Sequence, residues 1–164
     1  MQKKFNITGT CRPNKHYMAD IGNKLASTIE LVENNEYFTI NRPRQYGKTT
    51  MLYTLEAALM KRQDYVVFNI SFEGIGDAIF NDEKVFVGGF VGLLLEQAEF
   101  FFPDLIPILT EKQQAVNNLD SLSKAITVIL RQTEKKVVVL IDEPGASPAN
   151  KSPTYDFEYT SAVR

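Results

Sequence analysis

An α/β fold, with a parallel sheet held between helical layers, is the class predicted for this chain of 164 residues. Three observations carry that expectation. Segments with the pattern of strands alternate along the chain with segments of helical period. The run Val137-Val138-Val139-Leu140-Ile141 is unbroken and apolar, as in a parallel strand buried on both faces. Finally, the strand-like Tyr37-Phe38-Thr39-Ile40 leads through a short loop ending in Gly47-Lys48-Thr49 into a helical pattern, the first half of a parallel strand–helix–strand unit.

In order, Met18, Ile21, Leu25, Ile29 and Val32 share one face of a predicted helix over 16–34, which Asn34-Asn35 ends. The first strand is predicted at 37–41, followed by a helix from about Lys48 to Arg62 with Leu52, Leu55, Ala58 and Leu59 turned inward. Val66 to Phe72 reads as the second strand. A helix over 84–101 is expected although Gly88, Gly89 and Gly92 each weaken it by about 1 kcal/mol. Pro103 and Pro107 are expected to break the chain. The last helix runs from about Leu119 to Thr133 with Leu122, Ala125, Ile126 and Ile129 on one face, and the strand ending at Asp142-Glu143 follows. No internal repeat or heptad is visible.

Composition narrows the function classes. With 18 basic and 20 acidic side chains there is no electrostatic case for nucleic acid or an anionic membrane surface. No apolar run approaches the length of a membrane span, and Lys3-Lys4 is not followed by the apolar core of a secretory signal. Cys11 is the single cysteine, so no intrachain disulfide forms. The expectation is a cytoplasmic chain with one core.

Residues 41–50, Asn-Arg-Pro-Arg-Gln-Tyr-Gly-Lys-Thr-Thr, have the grammar of a phosphate-binding loop. A strand that turns through backbone amides into a helix N-terminus, with a lysine at the turn, makes a concave cation suited to the β- and γ-phosphates of a nucleotide. Gly47 allows close backbone approach, Lys48 bridges the phosphates, Thr49 ligates Mg²⁺, and Thr50 sits near the α-phosphate. The usual pattern has glycine five residues before Gly47, where this chain has Arg42 followed by Pro43. Arg42 is costly at positive φ, and Pro43 biases it toward extended backbone, so the loop must be entered by another path. Arg44, inside the loop, either contacts phosphate or holds the loop through a carboxylate.

A lone Gly-Lys-Thr is compatible with an ordinary helix entry carrying a solvated lysine. The second motif changes the balance. Asp142 and Glu143 end the apolar strand, and the carboxyl ends of strands are where open α/β sheets bind ligands. Asp142 then holds the Mg²⁺ water shell in the manner of a Walker B aspartate, and Glu143 orients or deprotonates an attacking water. In isolation the two acids read as a solvated cap of a buried strand. Found in the expected order after a Walker A-type loop, about 90 residues apart, they point to a nucleotide site, and the adjacent pair favours ATP hydrolysis.

Across these motifs the chain resembles the bacterial AAA-type ATPase-like proteins, relatives of the signal-transducing P-loop ATPases. The resemblance rests on Phe5-Asn6-Ile7-Thr8-Gly9 with Cys11-Arg12-Pro13 and His16-Tyr17-Met18, on residues 40–49, on Ile70-Ser71-Phe72-Glu73-Gly74 and on Leu140-Ile141-Asp142-Glu143, covering about residues 3–143. It implies a three-layer αβα P-loop NTPase fold, ATP and Mg²⁺ as ligands, and a loop in which Arg-Pro-Arg normally replaces the first glycine. Arg44, Gln45, Tyr46, Gly47, Lys48, Thr49 and Thr50 are then the nucleotide-binding set, Thr49 and Asp142 the metal set, and Lys48 and Glu143 the catalytic pair. Three parts are expected: an N-terminal segment and helix over 1–36, a nucleotide-binding core over 37–143, and a linker-like or disordered tail over 144–164.

The resemblance also locates a departure. Relatives continue past the acidic pair into a helix and two further strands, one of which lies between the first strand and the Walker B strand. Here Pro144-Gly145 opens a stretch with three prolines and one glycine in ten residues, and 154–164 offers at most one edge strand. The expectation is a C-terminally truncated or frameshifted form with an incomplete core.

Two other functions remain in view: a non-hydrolysing nucleotide-binding fragment that acts through protein contacts, and a P-loop small-molecule kinase, disfavoured by the lack of a lid-like arginine cluster. A protein partner or self-association is compatible with either ATPase reading. Among lesser features, His16 and Cys11 are two potential ligands and do not make a metal site. Tyr17 and Met18 either pack on an adenine or anchor the first helix. Phe100-Phe101-Phe102 reads as core or partner surface, and Glu73 follows the second strand closely enough to approach the site.

Overall fold

A computed structural model of the chain describes residues 3–6, 11–12, 14–40 and 47–142. Its elements are α1 (Gly22–Glu33), α2 (Lys48–Leu59), β1 (Tyr65–Ser71), a 3-10 turn (Asp77–Asn81), α3 (Glu83–Phe101), a second 3-10 turn (Pro103–Leu105), α4 (Ile106–Ala115), α5 (Leu119–Thr133) and β2 (Lys136–Asp142). β1 and β2 pair in parallel, in register from Tyr65 opposite Lys136 to Ser71 opposite Asp142. The expected mixed α/β architecture is therefore present as a small parallel sheet flanked by helices.

Alternation along the strands divides the core in two. Val66, Phe68, Ile70 and Phe72, with Val137 and Val139, face a cluster built with α3, α4 and α5. Tyr65 and Val67, with Val138 and Leu140, face Val32 of α1 and Leu52, Leu55 and Leu59 of α2. Both faces of the strands are covered, which is why their sequences are mostly apolar, Asn69 being the polar residue inside β1.

Local chemistry explains the helix boundaries. Asp82 starts α3 by accepting the Val85 N–H at 2.9 Å. Along α3, Val87, Val91, Leu94 and Ala98 make the buried stripe. Two of its glycines serve close approach: a Cβ on Gly89 would lie 2.5 Å from Ile79 Cδ1, and one on Gly92 2.9 Å from Gln113 Nε2. At the start of α5, Asn118 Oδ1 accepts the Ser121 N–H at 2.8 Å while Ser121 Oγ accepts the Asn118 N–H at 3.1 Å, a reciprocal cap. Glu134, at φ 50°, turns the chain from α5 into β2.

Three expectations are corrected. The first helix begins at Gly22, not at residue 16, because the backbone of 15–17 is bonded elsewhere: the Lys4 N–H donates to Lys15 O and the Tyr17 N–H to Lys4 O, both at 3.0 Å. Pro107 does not break the chain; it sits in the first turn of α4, where proline's missing N–H has no helical partner to lose. Tyr37–Ile40 is not a strand of the sheet. Phe38 and Ile40 pack on the α1/α2-side cluster, so the apolar alternation has its use, but no ladder joins this segment to another described strand. Strand pattern fixes which side chains turn inward; a strand also needs a neighbour for its backbone.

The remaining boundaries shift by a few residues. The second expected strand, 66–72, is β1, the helix of 84–101 is α3, and the last helix matches α5. Arg62, expected within the helix after the loop, lies beyond α2, where it bridges Glu33 and, at 3.5 Å, Asp64, with its guanidinium 4.9 Å from the Tyr65 ring centre. The hydrogen bond to Glu33 raises the pKa of Arg62 further above its already high value.

Candidate functional site

Gly47 precedes α2 with φ 79° and ψ 26°, the left-handed conformation that glycine adopts without a Cβ penalty. No atom of the described residues lies within 4 Å of where its Cβ would stand, while its positive φ is a backbone demand that glycine meets. Lys48 and Thr49 then open α2, Lys48 half-buried and Thr49 exposed. The first-turn amides of such a helix have no intrahelical acceptors and carry the positive end of the dipole, suited to an anion. No acidic side chain opposes that sign in the first turn.

Two contacts fix the direction of α2 against the sheet. Beyond its C-terminal end Arg62 lies over Tyr65, the first residue of β1, and in its third turn Glu56 Oε2 accepts from Asn69 Nδ2 at 2.8 Å. The helix therefore runs antiparallel to β1, and its N-terminus lies toward the carboxyl ends of the strands. Lys48 is eight residues before Glu56, about 12 Å along the axis, and Ser71 is two residues after Asn69, about 7 Å along the strand. The first turn of α2 thus stands about 5 Å beyond the strand ends in the axial direction. Asp142, half-buried, is the last residue of β2 and the register partner of Ser71. Gly47, Lys48, Thr49 and Asp142 share one end of the molecule.

Arg42, Arg44, Gln45, Tyr46 and Glu143 lie outside the described residues. Thr50 is in the first turn of α2, and its Oγ1 accepts the Cys11 N–H at 3.2 Å. That bond ties the N-terminal segment to the start of α2, a link across 39 residues with no sequence signal. The same segment stacks Phe5 on Tyr17 with ring centres 4.9 Å apart, and both rings are exposed. Tyr17 accordingly does not anchor α1 to the core; Met18 is half-buried. His16 Nδ1 accepts the Arg12 N–H at 3.0 Å, and Cys11 Sγ accepts from Asn6 Nδ2 at 3.5 Å, so the two residues have separate structural partners.

Glu73 is exposed two residues after β1, and its N–H donates to Ser71 Oγ at 3.1 Å. Ser71 was not legible as a site neighbour, because only the register places it opposite Asp142. The three phenylalanines divide: Phe102 packs edge-on to Phe68 at 5.4 Å, while Phe100 and Phe101 are exposed. Among the described residues no three His, Cys, Asp or Glu side chains gather to cage a metal. Mg²⁺ held with a nucleotide asks for less, one or two protein oxygens beside phosphate and water, and Thr49 with Asp142 fits that donor set.

A cavity of about 580 Å³ opens at the opposite end of the strands, between Val32, Tyr65, Leu130, Glu134 and Lys136. It is remote from Asp142 and plays no part in the site. No helix among the described residues is long and apolar enough to cross a membrane.

In comparisons with known proteins, no family model, no curated protein and no solved structure matches the chain.

Proposed function

We propose that the chain is an ATP-binding domain of the P-loop type, of the AAA-type ATPase class, which takes Mg-ATP at the carboxyl end of its sheet and hydrolyses it to drive a conformational switch. One observation carries the reading: a left-handed glycine opens a helix with Lys48-Thr49 at the end of the sheet where β2 finishes in Asp142. Exposed Phe5 and Tyr17, on a segment bonded to the same helix turn, supply aromatic surface for a base.

In this reading Lys48 neutralises phosphate charge as it shifts during transfer. Thr49, from α2, and Asp142, from β2, would hold Mg²⁺, which would supply neutralisation of phosphate charge. Glu143 orients a water for in-line attack and takes its proton. Arg44, Gln45, Tyr46, Gly47 and Thr50 complete the phosphate cradle.

Single-turnover assays on the parent and Glu143→Gln test the chemistry. ATP hydrolysis lost in the variant, with ATP still bound, is the expected result. Equal binding with no turnover in either chain would replace hydrolysis by the non-hydrolysing reading, and phosphate transfer to an added acceptor in preference to water would replace it by a kinase.

A further inference from the structure

β1 is apolar and buried except at Asn69 and at its last residue, Ser71. Asparagine is disfavoured within strands, and its amide needs partners wherever water is displaced. Here Asn69 Nδ2 donates to Glu56 Oε2 at 2.8 Å, partly buried between helix and sheet. The rest of that interface is hydrocarbon: Leu52, Leu55 and Leu59 against Tyr65 and Val67. Apolar contacts of this kind resist separation but have little directional preference, so they do little to stop a helix sliding along a sheet. A charge-assisted hydrogen bond has a short range and a preferred angle, and one such bond fixes an axial position.

We propose that Glu56 and Asn69 are positioning residues that set the spacing between the two halves of the nucleotide site. α2 carries Lys48 and Thr49 at its start and Glu56 in its third turn. The sheet carries Asn69 in its middle and Asp142 at its end, on the strand paired with β1. The bond is thus a polar side-chain link between α2, which carries Lys48 and Thr49, and the sheet, which carries Asp142. Slipping α2 by one helical residue would move Thr49 about 1.5 Å relative to Asp142, enough to disturb an ion that the two would hold together. Phosphate contacts made by α2 alone would survive the slip. The bond therefore controls the Mg²⁺-dependent part of ATP binding and leaves the Mg²⁺-independent part untouched. This rests on the nucleotide reading given above.

The test follows ATP-induced stabilisation of the full chain as Mg²⁺ is titrated, with ATP in EDTA as the second arm. Glu56→Leu with Asn69→Val should keep the response to ATP in EDTA but need ~10-fold or more Mg²⁺ for half the full shift. Glu56→Gln, which still accepts from Asn69, should stay near the parent. Asn69→Thr, which suits a strand but falls short of Glu56, gives an independent route if the apolar pair fails to fold, and should match the apolar pair. An unchanged Mg²⁺ midpoint in a folded variant that lacks the bond overturns the proposal, as does equal loss in both arms, which marks a purely structural bond. A parent that responds to ATP in neither arm sinks the nucleotide reading instead.

Discussion

At the scale of single residues, Gly47 and Thr50 answer different demands. Gly47 holds φ 79° in open space, so Gly47→Ala strains the backbone without a clash. Urea unfolding should show a loss of about 1 kcal/mol, with weaker ATP binding beyond what that loss explains. Thr50→Val keeps shape but removes the acceptor of the Cys11 N–H. Faster hydrogen exchange at Cys11 and the Lys4–His16 bridge, with α2 still protected, is the expected outcome. Arg62 is a third case. Its pKa is raised, mainly by the hydrogen bond with Glu33, so its contribution is fully present below the unfolded arginine value and fades only as pH rises past the folded one. Arg62→Met should therefore lower the melting temperature at pH 6 and pH 9 alike, and a deficit confined to one of those would contradict the assignment.

At the scale of elements, legibility followed the kind of signal. α5 was readable from its apolar stripe at helical spacing, while the Asn118 cap that starts it emerges only in the structure. Asn118→Ala should cost about 1 kcal/mol in urea unfolding, with the loss centred on the first turn of α5. β2 was legible from hydrophobicity alone, since both its faces are covered. α4 was missed because proline reads as a breaker unless its place in the first turn is known. Residues 37–40 are not a strand of the described sheet because pairing is a property of the neighbour, and a single segment's sequence does not contain it. His16–Ile21 failed as helix for the same reason, its start being bonded to Lys4.

At the scale of the whole molecule, two apolar clusters on opposite faces of a two-stranded sheet hold the described residues together. Leu55, fully buried between α2 and the sheet, is the sharpest probe of the smaller cluster: Leu55→Ala should cost about 2–5 kcal/mol. The candidate site was legible in part. Gly47, Lys48, Thr49 and Asp142 were readable because strand end, glycine turn and helix start have residue signatures at fixed offsets. Asn69, Glu56 and Ser71 were not, because their relevance depends on register and helix direction.

The proposed nucleotide site stands or falls with phosphate binding at the start of α2. The most direct measurement is the thermal unfolding of the purified chain with and without Mg-ATP, beside Lys48→Ala. A cooperative transition that Mg-ATP raises in the parent and leaves unmoved in the variant is the predicted result. A cooperative transition that Mg-ATP does not shift in the parent, or shifts equally in both chains, contradicts it.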